Sequence, residues 1–230
     1  METQHFERGM SAAQYREQQR RRLERFNLLD RGWAVLGAAP DPTIPDDLLK
    51  SHCRVDINDA GRIAESKGYA RAGLTVRSDR KPWKDHLETD TDALFIFKKR
   101  RVMFPRTLLF GKPFRHVGKV WTLQSRDVRQ IVKDTSGVSL EGVGDSEKVS
   151  STISICCYGL FIGVPEIVIM GVSLTRQGYD YESEKGKRRH VAEDETVLRA
   201  LAKTGKVLTT EPEVADITGL PLWVSSRHSR

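Results

Sequence analysis

Cysteine is scarce. The 230 residues include three, Cys53, Cys156 and Cys157, and the last two are adjacent in an apolar stretch where neither is placed to reach a partner. This usage excludes a disulfide framework and any cysteine-based zinc site, and it predicts buried thiols in a reducing compartment. Long hydrophobic runs are also missing. No apolar segment approaches the roughly 18 residues that span a bilayer, and Met1 to Met10 is polar. Neither a membrane anchor nor a secretory signal is expected, and the setting reads as cytoplasmic. The sequence has no Gly-Lys-Ser/Thr phosphate loop and no three-glycine dinucleotide fingerprint, which argues against the commonest nucleotide enzymes. No His or Cys cluster has metal-ligand spacing, and no metal is expected.

Positive charge, by contrast, is plentiful. The formal net charge is +7, with 38% hydrophobic and 30% charged residues, the composition of a folding chain with an anionic partner. That partner could be a nucleotide, a phosphorylated glycan, nucleic acid or an anionic lipid surface. No helix-turn-helix, zinc-finger or aromatic RNA-binding pattern accompanies the basic residues, so nucleic acid is disfavoured. The length fits one domain with one core.

Along residues 11 to 29, Tyr15, Leu23, Phe26 and Leu29 share much of one helical face, with Arg20, Arg21, Arg22 and Arg25 around it. Segment 1–31 is expected to be an amphipathic helical arm, either packed on the domain or meeting a membrane surface or a second subunit. Residues 32–230 read as a single α/β domain. Strands are expected at Trp33 to Leu36, Cys53 to Ile57, Gly73 to Val76, Ala93 to Phe97, Lys119 to Leu123, Glu166 to Met170 and Lys206 to Leu208. Helical stretches alternate with them at Ser125 to Lys133, Ser150 to Ile162, Val191 to Lys203 and after Pro212, which predicts a mostly parallel sheet flanked by helices. The polar, basic segment 175–189 is too long for an ordinary connection and reads as a lid loop.

Ligands of open α/β sheets sit outside the carboxyl ends of the strands. Loops there would gather Asn58, Asp59, Arg77, Ser78, Ser150, Ser151, Ser173 and Thr175. The amides of Gly37, Ala38 and Ala39, and those opening the Ser150 helix, could hold phosphate. Each loop alone is weak evidence, because Gly and Asn are common turn residues after strands.

The order of four segments is more telling. Cys53-Arg54-Val55-Asp56-Ile57-Asn58-Asp59-Ala60, followed by Gly68-Tyr69-Ala70-Arg71-Ala72-Gly73-Leu74-Thr75-Val76-Arg77, resembles the large donor-binding motif of animal sialyltransferases. Val35-Leu36-Gly37-Ala38-Ala39-Pro40 resembles the small-residue loop that opens the nucleotide site in that family and in the bacterial lipooligosaccharide sialyltransferases. Ser150-Ser151-Thr152, the apolar helix and Pro165 to Gly171 resemble their small motif. His190 to Glu195 repeats the His-x-x-x-x-Glu spacing of the last one. Together these matches cover about Trp33 to Arg77 and Lys148 to Leu222; residues 78–147 match no motif and are assigned to the acceptor side.

The resemblance implies a modified GT-A-like, Rossmann-like domain in a metal-independent, inverting glycosyltransferase. It would move an acidic 2-keto sugar, sialic acid-like or Kdo, from its CMP derivative to a glycan or lipopolysaccharide-type acceptor. His190 would be the base, and Tyr181 with Tyr179 would contact the leaving phosphate. Gly37, Ala38, Ala39, Asn58, Asp59, Arg77, Ser150, Ser151, Thr152, Ser173 and Thr175 would bind CMP. Arg188, Arg189 and Lys148 would meet a carboxylate. A bacterial protein peripheral to the inner membrane face, and a homo-oligomer, fit this reading. On its own, His190 reads better as a solvated histidine at a helix start; motif order reverses this in favour of the base, with His116 the next candidate. The alternative from another class is a non-catalytic module that binds anionic glycan or nucleic acid.

Overall fold

The computed structural model describes residues 6, 9–78, 90–98, 116–176 and 190–225. The apolar runs form seven strands: β1 (Trp33–Leu36), β2 (Cys53–Ile57), β3 (Ala72–Ser78), β4 (Asp90–Lys98), β5 (His116–Gln124), β6 (Ile167–Met170) and β7 (Val207–Thr209). The helices are α1 (Ala12–Glu24), α2 (Asp46–Ser51), α3 (Gly61–Ser66), α4 (Ser125–Ser136), α5 (Ser151–Ile162), α6 (Val191–Ala202) and α7 (Pro212–Thr218). Every pairing is parallel, in the order β5-β4-β3-β2-β1-β6-β7. The mostly parallel sheet expected from the sequence is therefore parallel throughout the described strands.

Parallel strands covered on both faces need apolar side chains in both directions, and β1 and β6 are buried at every position. One face carries Val35, Val55, Ile57, Leu74, Val76, Phe95 and Ile169 against Ile153, Cys157 and Tyr158 of α5. The other carries Ala34, Leu36, Val168 and Met170 against Leu48, Ala60 and Ala64 from α2 and the start of α3. Helix α5 is buried on nearly all sides, which explains why its sequence is apolar all round. The Ser150 hydroxyl caps it by accepting from the Ile153 amide, and Gly163 ends it in the left-handed region at φ 87°. The three cysteines are buried; burial pushes the Cys53 and Cys157 thiols up to about 12, which keeps them protonated.

The segment expected as an arm places α1 on this same core. A reciprocal Ser11–Gln14 capping box starts the helix, and Tyr15, Gln19 and Leu23 are buried. Phe6 stacks on Tyr15 with centroids 4.6 Å apart, and the Tyr158 hydroxyl donates to Gln19 at 3.1 Å, satisfying two polar groups under the helix. The apolar face of α1 thus packs against the domain. Among the described residues no helix is long and apolar enough to cross a membrane.

The chain lays down β1 to β5 in one direction and then returns to place β6 on the other side of β1. The crossover makes β1 and β6 the topological switch point, the carboxyl-edge position where open parallel sheets form their ligand crevice. Because α5 and α6 run antiparallel to the strands that follow them, their first residues, Ser151 and Val191, lie at this same edge.

Candidate active site

Two glycines form the floor of the switch point. Gly37 donates its amide to Met170 O at 2.8 Å and Ala39 donates to Gly171 O at 2.9 Å, tying the loop after β1 to the loop after β6. A Cβ on Gly37 would lie 2.4 Å from Gly171 O, and one on Gly171, whose φ is +59°, would lie 2.6 Å from Gly37 O. Glycine is required at both by this close approach. The Gly37 and Ala39 amides, expected at the phosphate, both serve backbone carbonyls. Ala38, half-buried between them, is the one of the three whose amide has no backbone partner among the described residues.

Asn58 follows β2 in the left-handed region at φ 53°, a conformation that asparagine tolerates better than most residues. Its amide donates to Val76 O at 2.7 Å, and its side-chain oxygen accepts from the Ser78 amide at 3.0 Å. These turn bonds do not use the side-chain nitrogen. Asp59 and Arg77 are different. They are 1% and 0% exposed and pair with each other through Oδ1 and Nη1. They form a buried ion pair that joins the ends of β2 and β3.

After β6, two carboxylates do the structural work. Glu211 Oε1 accepts from the amides of Gly171 at 2.8 Å and Thr43 at 3.0 Å. Glu213 accepts from the Ser173 hydroxyl at 2.8 Å and from the Leu174 and Thr175 amides at 2.8 Å each. Ser173 is fully buried and its oxygen also accepts from the Arg176 amide at 2.8 Å. These bonds make Ser173 part of the framework of the loop. Thr175 is tied by its amide but keeps an exposed side chain. Arg176 reaches back to Pro40 O at 2.7 Å and bridges the two loops.

Burial disfavours the Glu213 charge, yet hydrogen bonds from Ser173, Leu174 and Thr175 hold its carboxyl below the ordinary 4.5. A depressed folded-state value stabilises above the unfolded value and is lost as pH falls through the folded one. Acidification through and below 4.5 is expected to release this loop first. Faster amide hydrogen exchange at Leu174 and Thr175, ahead of the β-sheet amides, would show it; uniform loss would count against it.

At the start of α5, Ser150 donates its amide to Asp194 Oδ1 at 2.7 Å, so a carboxylate of α6 lies beside the amino end of α5. Ser150 is thus a cap rather than a free ligand. The amides of half-buried Ser151 and buried Thr152 keep no backbone partner among the described residues, as expected for the first turn of a helix. Lys148 stands exposed just before them.

His190 immediately precedes α6, is half-buried, and has Nδ1 2.6 Å from the Ser146 oxygen. That hydroxyl lies 2.7 Å from Glu193 Oε1, and the Ser146 amide donates to the same oxygen at 2.9 Å. Burial opposes the Glu193 charge, but the Ser146 hydrogen bonds and the neighbouring His190 leave its carboxyl below the ordinary range. The bond from Ser150 to Asp194 brings the Ser150 and His190 segments together at the crevice.

No family model matches the chain, and no curated protein matches it by sequence. Solved structures do match. The sialyltransferase CstII from Campylobacter jejuni, in complex with the substrate analogue CMP-3FNeuAc, superposes with a TM-score of 0.53 at 11% identity, over 84% of this chain and 86% of that one. Its complex with cytidine-5'-monophosphate gives 0.55 at 12% identity, over 84% of both chains. The sialyltransferase Cst-II with trisaccharide acceptor and CMP gives 0.51 at 14%, over 84% and 86%. The chain has a sialyltransferase-like fold.

Within that sialyltransferase-like fold, other expectations can be placed. Glu195, which ends the His-x-x-x-x-Glu segment, pairs with Arg199 at 2.9 Å on α6; Glu193, one turn from His190, is the carboxylate that contacts Ser146, which in turn contacts His190. The second histidine, His116, begins β5 and so belongs to the amino edge of the sheet, away from the crevice. That placement removes it as an alternative base. An Asp-x-Asp pair does occur, Asp90 and Asp92, but at the amino edge, with both carboxylates on Arg71 at 3.2 and 3.1 Å. Among the described residues no group of three His, Cys, Asp or Glu side chains could hold a metal ion. Two surface concavities lie away from the crevice, along α1 and at the amino edge around Arg31, His52 and Arg71. We place the site at the carboxyl edge because the motif residues converge there. Tyr179, Tyr181, Arg188 and Arg189 lie outside the described residues.

Proposed function

We propose that this chain is a metal-independent, inverting glycosyltransferase that moves an acidic 2-keto sugar, sialic acid-like or Kdo, from its CMP derivative to a glycan hydroxyl. The observation that carries the reading is the meeting of the Ser150 and His190 segments through the Ser150–Asp194 bond, at the switch point of a fold shared with a CMP-bound sialyltransferase. Sequence order alone linked these two segments, and the Ser150–Asp194 bond supports reading them as one site.

In the proposed step, His190 Nε2 takes the proton of the acceptor hydroxyl as its oxygen bonds to the anomeric carbon. The bond from that carbon to phosphate breaks on the opposite side, and its electron pair leaves with CMP. The Ala38, Ser151 and Thr152 amides, the Asn58 side-chain nitrogen and the Tyr179 and Tyr181 hydroxyls are assigned to the nucleotide and its departing phosphate. Arg188, Arg189 and Lys148 are assigned to the sugar carboxylate or an acidic acceptor. A donor whose phosphate leaves as CMP, with amides, hydroxyls and cations to receive it, does not require a divalent ion.

The test is thermal unfolding with CMP, AMP, GMP and UMP, each in EDTA. CMP at about 100 times its Kd should stabilise by about 2.7 kcal/mol, roughly 5–10 °C in Tm. Asn58→Asp keeps an oxygen for the Ser78 amide but loses the side-chain donor and adds a charge of the nucleotide's own sign, so it should abolish most of that shift while leaving the unliganded Tm close to wild type. CMP release from CMP-sialic acid and CMP-Kdo, with glycan acceptors, then identifies the donor. A shift shared equally by all four nucleotides, with binding that falls steeply with salt, would instead favour a non-catalytic anion-binding module.

A further inference from the structure

The amino edge of the sheet, at the other end of the strands from the crevice, carries a second set of cations. A concavity of about 870 Å³ opens there between the link from α1 to β1, the end of α2, the start of β2 and the turn into β3, a size that admits a small ligand or one headgroup. Five cationic residues border it, Arg31, Lys50, Arg54, Lys67 and Arg71, against two acidic ones. Both acids are engaged: Asp46 accepts from the Tyr69 hydroxyl at 2.6 Å, and Asp92 pairs with Arg71 at 3.1 Å. Arg31 and Lys67 are exposed and form no ion pair among the described residues. Arg54 is 6% exposed; its Nε lies 3.1 Å from Asp56, while its Nη2 is buried with no hydrogen-bond partner among the described residues. A buried guanidinium N–H without an acceptor is costly, and a charge held beside a concavity out of bulk solvent is screened little by salt.

Bonds between distant segments hold these walls in place. Cys53 donates its amide to Gly32 O at 2.8 Å, which fixes Arg31 beside the start of β2. A Cβ on Gly32 would lie 2.5 Å from the His52 ring, so glycine lets that ring close against the link. Across the concavity, the Tyr69–Asp46 bond ties the turn that bears Lys67 to α2, which bears Lys50. Burial raises the Cys53 thiol, and the charges of Arg31 and Arg54 both act against that rise, so the two cations stand around one point. Arg54 and Arg71 belong to the segments that resemble a donor-binding motif, yet they stand at the amino ends of β2 and β3.

We propose that this concavity is a second ligand site, one that binds a phosphomonoester or pyrophosphate group borne by a soluble compound or by a phospholipid headgroup. A carboxylate is satisfied by one guanidinium, whereas a phosphate group carries more oxygens and more charge for Arg31, Arg54 and Lys67 to share. The site is separate from the crevice and does not rest on the transferase reading.

Inorganic pyrophosphate is the probe. Titrated at constant ionic strength into the nitrogen-15-labelled full chain, it should shift the backbone amide signals of Arg31, Arg54, Lys67 and Arg71 before those of Ala38, Asn58 and Ser151 at the carboxyl edge. Arg31→Ser and Lys67→Ser, both at exposed positions, should each weaken pyrophosphate binding roughly 10-fold, and together roughly 100-fold. The unliganded Tm and the preference for CMP over the other nucleotides should stay at wild type in both. Sedimentation with phosphatidylcholine vesicles that contain phosphatidic acid, lost in the double variant, would assign the phosphate to a lipid; pyrophosphate binding without sedimentation would assign it to a soluble compound. Amino-edge signals unmoved by millimolar pyrophosphate, or binding as tight in the double variant as in wild type, would overturn the site. A chain that showed no preference for CMP would fail the transferase reading alone, and the pyrophosphate titration would still decide this one.

Discussion

Replacing His190 with alanine is expected to lower transfer turnover by about 100- to 10,000-fold, the usual cost of losing a general base, while the CMP-induced rise in Tm stays near wild type. The separation follows from the architecture. The nucleotide is assigned to the loops after β1 and β2 and to the first turn of α5. His190, just ahead of α6, is assigned instead to the acceptor hydroxyl. Folding should survive, because the ring is half-buried and sits before the helix rather than within the core. Transfer assays with the identified donor and acceptor check the first half, and thermal unfolding with CMP checks the second. Near-normal turnover in this variant would sink the assignment of the base, and His116 could not rescue it from the amino edge of the sheet.

The largest expected effect on stability lies at Asp59. Its carboxylate and the Arg77 guanidinium are both buried, and Asp59→Ala would leave that cation without its ion partner in a low-dielectric interior. The expected loss is about 3–5 kcal/mol, since breaking one side of a buried pair costs far more than removing both. The double replacement Asp59→Leu with Arg77→Met should recover much of the loss, because it removes the unmatched charge and keeps the volume filled. Urea unfolding of the three proteins tests this. An alanine variant within about 1 kcal/mol of wild type, typical of exposed ion pairs, would show that the pair does not bear on folding. The result would also separate the two roles this motif was given: a CMP ligand would lose nucleotide binding before stability, whereas a strand-end ion pair loses stability first.

Much of the fold was legible because its local signals agree with its tertiary setting. Cys53 to Ile57 and Glu166 to Met170 are short apolar runs bounded by turn residues, and they are central strands. Ser150 announced a helix start, and the apolar stretch behind it is the buried α5. Helices α2 and α3 were not read from the sequence: at six residues each they are too short to show a repeat, and packing under β1 and β2 holds them. The site was less legible than the fold. Side-chain type and motif order suggested Asp59, Arg77, Ser150 and Ser173 as ligands, but whether a polar group faces a crevice or another side chain depends on the partner across the fold. Asp59 finds Arg77 eighteen residues away, and Ser173 finds Glu213 forty residues away. No local pattern encodes such separations.

Composition, periodicity and turn chemistry by themselves determined an α/β chain with buried thiols and a strand order of appearance that requires crossovers. They also determined that glycine and asparagine would follow the first two strands. Tertiary structure decided which of those residues are bonded to one another and which are left at the edge. It set Glu193 beside His190 through Ser146, a residue of a loop that carried no motif. The physical reason is range. Backbone preferences and amphipathic spacing act over a few residues and are written locally, whereas a hydrogen bond such as Ser146 to His190, across 44 positions of sequence, exists only once the sheet has set α5 and α6 side by side.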